Sequence, residues 1–286
     1  MKPAPFEYVR PDTIEAAIDA LRAGGGGARA LAGGQSLIPT MNFRLAQPSL
    51  LVDLAAIEEL RGIRRNDDGA LRIGAMTRQR EVERSALVAE LAPLITETMA
   101  WVAHPQIRNR GTIGGSLAHA DPAAELPAVM LALDATFYLR GPAGGRSVRA
   151  REFYRGLFDT ALAPGELLVE IEVPAARATF RFALEEVSRR HGDYALAGVA
   201  AAMAPAADGS VGDIAIALFS VGDAPILSEA GRAVLVGGAL EPAAIGEAAD
   251  ATAEALDPPG DIHATSDYRR HLARVLTRRV LERLVP

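Results

Sequence analysis

The pattern of hydrophobic and polar positions predicts short strands and helices that alternate at the start of the chain. Ile14, Ile18 and Leu21 recur at helical spacing, and Asp12 with Glu15 forms the capping box that we expect to start this helix. Short apolar runs on either side of the helix are typical of strands. The predicted strands cover residues 7–9, 29–32 and 50–54.

The pattern in the middle of the chain predicts several helices and then longer strands. Two short strands between residues 57 and 74 flank a polar turn at residues 66–69. The other predicted elements are helices near 77–83 and at 93–103, a helix that continues to 133, a hairpin of 135–140 with 146–150, and a strand at 167–173. Pro174 ends that strand, and a domain boundary is expected near residue 175.

The pattern in the last third of the chain predicts an antiparallel meander that is followed by helices. The predicted strands cover residues 179–187, 196–204 and 211–220, and the predicted helices cover residues 228–236, 242–256 and 266–284. In the last helix Leu272, Leu276 and Val280 fall on one face, which is typical of core packing.

Composition and charge narrow the classes of function. The net charge of -6 and the pI near 5.5 argue against a surface for nucleic acid or anionic membranes. We expect a cytoplasmic protein with no membrane span, because the sequence has neither a span-length apolar run nor a signal peptide. Cysteine is absent, which excludes disulfides, zinc–thiolate sites, thiol catalysis and cysteine-ligated iron–sulfur clusters from this chain; if the function is redox, the electron carriers must be non-thiolate or lie on partner chains. The five histidines show no metal-binding spacing, and no metal site is predicted.

A glycine-rich segment at residues 107–127 concentrates the polar groups that indicate a ligand. It contains three glycines, two hydroxyls and three further polar side chains: Gly111, Gly114, Gly115, Thr112, Ser116, His119, Asp121 and Glu125. We expect a helix to open at Pro122 and Ala123, with unpaired N–H groups and the positive end of the helix dipole facing outward. The segment therefore predicts an anion site, and a plain turn with a helix cap is the alternative.

A second glycine segment comes earlier in the chain, where Gly33 and Gly34 follow a predicted strand. Ser36 is expected to cap the helix that begins with Leu37, which makes another anion cradle. One dinucleotide explains two separated cradles better than two independent turns do. No recognisable array of catalytic side chains is present, so the ligand would have to supply the chemistry, and FAD is the natural candidate.

Four ordered motifs resemble the FAD-binding medium subunit of the molybdenum hydroxylases, the family of aerobic carbon monoxide dehydrogenase and xanthine dehydrogenase. They are ALAGGQSLIPTMNFRL at residues 30–45, AHPQIRNRGTIGGSLAHADPAAELPAVM at residues 103–130, and then LLVEIEVP and SRRHGDYALAGVA in the family's order and spacing. The resemblance spans nearly all of the chain.

The resemblance implies an α+β protein with a FAD-binding fold of the vanillyl-alcohol-oxidase type. Two α/β subdomains, at residues 1–55 and 56–176, would form this fold. A C-terminal domain at residues 177–286 would follow, with a three-stranded antiparallel sheet and helices. The expected cofactor is non-covalently bound FAD, and neither a catalytic residue nor a metal ligand is carried over to this chain.

The resemblance also implies which residues contact FAD. The pyrophosphate cradle would be formed by Leu31, Ala32, Gly33, Gly34, Gln35, Ser36, Leu37 and Ile38. A second cradle would be formed by Thr112, Gly114, Gly115 and Ser116, with Asp121 and Glu125 beside it. Val102 and Leu168 match apolar contacts, and Tyr194 lies in a loop expected near the isoalloxazine ring, although such a loop can also be simply solvated.

The implied function is electron relay within a complex. A large subunit would carry molybdopterin, a small subunit would carry two [2Fe–2S] clusters, and the flavin here would pass electrons to an external acceptor. A dimer of heterotrimers is expected. The sequence departs from the family at Leu184, Glu185 and Glu186, where xanthine dehydrogenase relatives carry a lysine near the flavin. A carboxylate there would disfavour an anionic reduced flavin.

Two other functions stay open from the sequence. One is a stand-alone flavin reductase or oxidase similar to the enolpyruvoyl-glucosamine reductases, which would need its own proton donor after residue 175. The other is an assembly or sensor protein that binds a nucleotide without redox turnover. The substrate of the complex and its electron acceptor are not determined by this sequence.

Overall fold

The first part of the chain forms a small parallel sheet. This computed structural model describes residues 2–176 and 179–285. The elements of the first part are β1 (Glu7–Val9), α1 (Ile14–Gly24), β2 (Ala28–Leu31), α2 (Leu37–Asn42) and β3 (Leu50–Asp53). The strand β3 lies between β1 and β2 and pairs with both in parallel. As the periodicity predicts, α1 buries Ile14, Ile18 and Leu21.

The predicted capping box of α1 is wrong by one residue. Thr13, in an extended conformation, is the N-cap, and its side-chain oxygen accepts a hydrogen bond from Ala16 N at 3.2 Å. Asp12 follows Pro11 and lies one position too early to reach the free N–H groups of the first turn.

The second part is built on a five-stranded antiparallel sheet with the order β4-β5-β10-β6-β7. Its strands are β4 (Ile63–Arg65), β5 (Leu71–Gly74), β6 (Thr136–Gly141), β7 (Gly144–Arg149), the small pair β8 (Tyr154–Gly156) and β9 (Asp159–Thr160), and β10 (Leu167–Val173). Its helices are α3 (Gln79–Arg84), α4 (Ala86–Leu91), α5 (Pro93–Met99), α6 (Pro105–Arg108), α7 (Ile113–His119), α8 (Glu125–Ala132) and α9 (Ala150–Phe153). The predicted helix at 93–103 ends early, at Met99, and Ala103 has a left-handed φ of 44°.

The helix that we expected to open at Pro122 is also placed differently. The glycine-rich segment already forms α7, whose N-cap is Thr112, and α7 ends at Ala120 with a φ of 51°. A separate helix, α8, starts at Glu125. Every residue of α8 is buried, which is the pattern of a helix surrounded by protein on all sides.

The last part is an antiparallel sheet covered by three helices. Its elements are β11 (Arg181–Ser188), β12 (Ala195–Pro205), β13 (Val211–Phe219), β14 (Ile226–Leu227), α10 (Glu229–Leu235), α11 (Pro242–Glu254) and α12 (Ser266–Glu282). The three long strands form the predicted meander, and the two-residue β14 adds an edge strand beside β13. The predicted domain boundary at residue 177 lies outside the described residues.

The C-terminal sheet packs against the second part through α8, which contacts β12 and β13. At the N-terminal side of α8, Ser220 N donates to the carbonyl oxygen of Pro122 at 2.7 Å. The arrangement places the loop before α8 at the junction of the two parts. Among the described residues, no helix is both long and apolar enough to cross a membrane.

Candidate cofactor site

The first glycine segment leaves a run of backbone donors without partners. The chain leaves β2, turns through Gly34 at a φ of +74°, and enters α2. Within the part of the chain that the structure describes, the N–H groups of residues 33–36 donate no hydrogen bond. Four neighbouring N–H groups at the start of a helix form a cradle for an anion.

Ser36 occupies the N-cap position of α2 but does not cap it. Its side chain makes no capping hydrogen bond, and its own φ and ψ are helical. The predicted Ser36 cap is therefore wrong, because an N-cap residue normally has extended geometry that aims its oxygen at the first turn. Instead of capping α2, the Ser36 hydroxyl lies beside the Tyr194 hydroxyl.

The second glycine segment uses its backbone donors inside the protein. Ile113 N donates to Thr77 O at 3.1 Å, and Gly114 N donates to Ala75 O at 2.9 Å. Gly115 N donates to the Thr112 side-chain oxygen at 3.0 Å. The expectation of outward-facing unpaired N–H groups is wrong for these three residues, because the loop after β5 accepts from Ile113 and Gly114 and the Thr112 side chain accepts from Gly115.

The two glycine segments touch each other. A Cβ on Gly33 would lie 2.7 Å from Gly111 Cα, and a Cβ on Gly115 would lie 3.1 Å from Ala32 Cβ. Gln79 N donates to Gly111 O at 2.9 Å, and Arg78 forms an isolated bridge with Thr112. The second segment is thus held by the start of α3 and in turn supports the first segment.

A cleft of about 400 Å³ opens beside the first segment, and two arginines line it. The lining residues are Leu31, Ala32, Gly33, Gly34, Gln35, Ile38, Pro39, Asn42, Asp53, Ala55, Arg78 and Arg110. Burial lowers the pKa of Arg78, and the positive charges of Arg61 and Arg110 lower it further. The charges of Glu81 and Asp53 act on Arg78 in the opposite direction, and Asp53 lines the same cleft. The two arginines beside the open N–H groups suit an anionic ligand.

Acidic groups and a tyrosine meet at the other end of the first segment. The Tyr194 hydroxyl lies against Asp121 and Ser36, although the residue as a whole is 64% exposed. Enclosure of the hydroxyl, followed by the charge of Asp121, raises the pKa of Tyr194 to about 12. Asp121 also accepts a hydrogen bond from Ala123 N at 2.9 Å. Tyr194 therefore connects the C-terminal sheet to both glycine segments.

The other predicted contact residues lie in three different environments. Leu37 and Ile38 are half-buried in α2, and Ser116 is half-buried in α7. Val102 and Leu168 are buried in the main core cluster of the second part. Glu125 is buried at the start of α8, where burial and then Asp121 raise its pKa to about 7.

The sequence did not single out Arg78 and Arg110 or the environment of Glu186. Arg110 directly precedes Gly111 in the glycine-rich segment, so its position was an available signal. Arg78 had no local signal, because it reaches the cleft only through the packing of distant elements. Glu186 was noted from the sequence as a departure from the family's lysine, but its burial depends on that packing. The arrangement as a whole fits FAD: the open N–H groups and the arginines suit a pyrophosphate, and Tyr194 offers an aromatic ring at one end.

Two family models match neighbouring parts of the chain and together cover most of it. Residues 4–176 match the family described as "FAD binding domain in molybdopterin dehydrogenase". Residues 182–284 match the family described as "CO dehydrogenase flavoprotein C-terminal domain".

Individual relatives are similar over nearly their full length. The carbon monoxide dehydrogenase medium chain of Afipia carboxidovorans is 43% identical over 284 residues, with 99% of this chain and 98% of the relative covered. The 6-hydroxypseudooxynicotine dehydrogenase complex subunit alpha of Paenarthrobacter nicotinovorans is 41% identical, with 98% and 95% covered. A solved carbon monoxide dehydrogenase of Hydrogenophaga pseudoflava superposes with a TM-score of 0.97 at 40% identity, with 99% of this chain and 98% of that chain covered.

Proposed function

The chain belongs to the family of FAD-binding medium subunits of molybdenum hydroxylases, and we propose that residues 33–36 bind the pyrophosphate of its FAD. The run of unpaired N–H groups is the single observation that carries this assignment. Backbone donors beside two arginines stabilise a bound diphosphate without any covalent bond to the protein.

The chain is an oxidoreductase subunit that works by electron transfer. A bound FAD would supply the redox chemistry, the transfer of electrons from iron–sulfur clusters of a partner subunit to an external acceptor. The residues of this chain bind and orient the cofactor, and they set the charge around it. We assign no catalytic residue and no metal ligand to the chain itself.

The roles of the two glycine segments differ in this proposal. Gly33, Gly34, Gln35 and Ser36 contact the pyrophosphate, with Leu31, Ala32, Leu37 and Ile38 around it. Thr112, Gly114, Gly115 and Ser116 border the cofactor and hold the first segment in place. Val102 and Leu168 supply apolar contacts. Asp121, which precedes α8, and Glu125, its first residue, face the cofactor. Tyr194 covers one of the cofactor's rings.

We further propose partners, a location and a domain organisation. The partners are a large molybdopterin subunit and a small [2Fe–2S] subunit, in a dimer of heterotrimers located in the cytoplasm. The lack of cysteine supports this division, because the clusters then need ligands from another chain. The proposed domains are residues 1–55, 56–176 and 177–286.

The visible absorption spectrum of the chain, purified alone and after co-expression with its neighbouring genes, tests the function. We expect a flavin spectrum and FAD as the chromophore released by heat. Iron–sulfur absorbance should appear only in the co-purified complex. Colourless protein that takes up no added FAD would contradict the proposal and favour the assembly or sensor function.

A glycine variant and a matched control test the cradle itself. Gly34→Val should lose FAD, whereas Gly209→Val should retain it. Both glycines have a left-handed φ, +74° and +86°, but Gly209 lies in an open turn, where a Cβ would have no heavy atom within 4 Å. If both variants retain stoichiometric FAD, the pyrophosphate does not lie on residues 33–36.

A further inference from the structure

A buried arginine lies at one end of the C-terminal sheet. Arg269, near the start of α12, is 6% exposed, and its guanidinium reaches the point where β12 begins and β13 ends. Its Nη1 donates to the carbonyl oxygens of Leu196 at 2.6 Å and Ser220 at 3.0 Å, and to the Ser220 hydroxyl oxygen at 3.2 Å. Its Nη2 donates to the Asp261 carboxylate at 2.7 Å. One charged side chain therefore binds groups from the ends of two strands.

The bonds of Arg269 continue the contact between these strands beyond their backbone pairing. On this side the register of β12 with β13 ends at the pair Gly198 and Phe219, so Leu196 and Ser220 lie past the last pair. Buried carbonyl groups need donors, and a charged donor makes a strong hydrogen bond. The guanidinium thus joins the two strand ends where the ladder of backbone bonds has stopped.

Ser220 carries this contact to two loops of the candidate cofactor site. Its backbone N–H donates to the carbonyl oxygen of Pro122 at 2.7 Å, and its hydroxyl donates to the carbonyl oxygen of Ala195 at 2.5 Å. Asp121 directly precedes Pro122 in the chain, and Tyr194 directly precedes Ala195. Ser220 therefore fixes the neighbours of both groups that face the cofactor in the proposed function.

The backbone of Ser220 is in an unusual conformation. Its φ is +62°, in the left-handed region that glycine adopts more easily than any residue with a Cβ, and it is 9% exposed. Such a conformation persists where the surrounding structure fixes it. Here the hydroxyl that glycine would lack makes two of the fixing bonds, one to Ala195 and one with Arg269.

Fold stability alone gives a weak reason for a buried arginine at this place. The Nε of Arg269 has no hydrogen-bond partner among the described residues, so the buried guanidinium is not fully satisfied. Apolar side chains of similar size often stabilise a core as well as a buried ion pair does. What an apolar side chain cannot do is to fix the positions of several carbonyl groups relative to one another.

We propose that Arg269 is a positioning residue of the FAD site. Through Ser220 it holds the loop before α8 and the start of β12 at a fixed spacing, and so it places Asp121 and Tyr194 against the cofactor. Arg269 acts on the cofactor only through these bonds. The cofactor part of the inference rests on the proposed FAD function.

The dissociation constant of FAD for the full chain tests this role. Arg269→Met keeps most of the length of the side chain but donates no hydrogen bond, and we expect the dissociation constant to rise about tenfold or more. Arg270→Met is the matched control, because Arg270 is the next residue and also binds a carbonyl group, Leu256 O at 3.2 Å, and a carboxylate, Asp267 at 3.0 Å. The control should stay within about twofold of the wild type.

Circular dichroism of the flavin absorption bands, at saturating FAD, separates positioning from a general loss of stability. These bands depend on the arrangement of groups around the ring, so they should change in Arg269→Met and stay unaltered in Arg270→Met. Both variants are compared below their melting temperatures. A lower melting temperature of Arg269→Met with an unaltered dissociation constant and unaltered flavin bands would overturn the positioning role.

Ser220→Gly decides the inference if Arg269→Met does not fold. Glycine removes the hydroxyl but suits the left-handed φ, so the melting temperature should change little while the dissociation constant of FAD rises about tenfold or less. Where Arg269→Met folds, the double variant should bind FAD more tightly than the product of the two single effects predicts, because both changes act on the same contact. Independent effects, or unchanged binding by Ser220→Gly, would overturn the route through Ser220.

Hydrogen exchange of the chain without FAD separates this inference from the proposed function. The Ser220 N–H should exchange faster in Arg269→Met than in Arg270→Met, because its bond to Pro122 loses support. Equal protection in the two variants would overturn the link between α12 and the loop before α8. A wild-type chain that binds no FAD would contradict the proposed function and the cofactor part with it, while the exchange rates would still decide whether Arg269 holds this loop.

Discussion

The two glycine segments begin helices with similar sequences, yet they differ in what their backbone donors do. The N–H groups of residues 33–36 have no partner among the described residues. In the other segment, Ile113, Gly114 and Gly115 donate to Thr77, Ala75 and the Thr112 hydroxyl. The first segment, residues 33–36, is therefore an open cradle. The second, residues 113–115, is an internal clamp, because its N–H groups are bonded within the protein.

This difference shows that a glycine run at a helix start does not by itself identify an anion site. The glycine of the clamp is needed for packing, because a Cβ on Gly114 would lie 2.7 Å from Ala75 Cα. The glycine of the cradle is needed for its backbone conformation, because Gly34 has a φ of +74°. Substitutions at these two positions should fail for different reasons.

Gly114→Val should have the largest effect. The added side chain overlaps the backbone of Ala75 in the core, and we expect the chain to lose about 3 kcal/mol or more of stability. Urea unfolding of the chain without FAD measures this loss. Gly26→Val is the control, since no heavy atom lies within 4 Å of a Cβ at Gly26. Wild-type stability for Gly114→Val would show that the clamp can open.

Gly34→Val should have a smaller effect on stability and a complete effect on the cofactor. A left-handed φ costs a side chain about 1–2 kcal/mol, which Gly209→Val should match. Only Gly34→Val should also lose FAD, because its side chain changes the shape of the cradle. Flavin content after gel filtration measures retention, and equal retention in the two variants would remove the distinction between cradle and clamp.

Thr112→Val should lower stability by about 1 kcal/mol, because the Thr112 hydroxyl caps α7 by accepting a hydrogen bond from Gly115 N. Thr13→Val removes the same kind of cap from α1 and should cost about as much. Urea unfolding measures the free energy of unfolding of both variants and of the wild type. An undiminished free energy of unfolding for Thr112→Val would mean that the cap does not hold the clamp together.

Ser36→Ala should have the smallest effect, and on the cofactor alone. The Ser36 side chain caps nothing in α2, so stability should stay within about 0.5 kcal/mol of the wild type. We expect the dissociation constant of FAD to rise about tenfold or less, as for the loss of one hydrogen bond. Fluorescence titration with FAD measures the change, and an unaltered dissociation constant would exclude Ser36 from the site.

Much of the fold could be predicted because periodicity reports local burial. The strand Leu167–Val173 and the helix Ser266–Glu282 match their predicted ranges closely, since each is long enough to show a clear period. Errors occurred at element ends, such as the cap at Thr13 and the end of α5 at Met99. Ends depend on single hydrogen bonds and on left-handed residues such as Ala103, which leave little trace in a hydrophobic pattern.

The candidate site was predicted in part. The glycine segments and Tyr194 come from contiguous motifs, and the structure brings the first segment, Asp121 and Tyr194 together. Arg78 reaches the cleft because β5 and the turn after it carry α3 to the second glycine segment, and no sequence spacing encodes that approach. Which N–H groups are free could not be predicted either, because it depends on whether a distant carbonyl group covers them.

The sequence alone determined the order of the elements, the lack of thiolate ligands and the family to which the chain belongs. These properties are local or additive, so they can be read from neighbouring residues and from composition. Only the tertiary structure decided that Ala75 and Thr77 close one helix end while the other stays open, and that Glu186 is buried with neither carboxyl oxygen hydrogen-bonded among the described residues. Both depend on contacts between residues far apart in the chain, which packing of the whole fold sets.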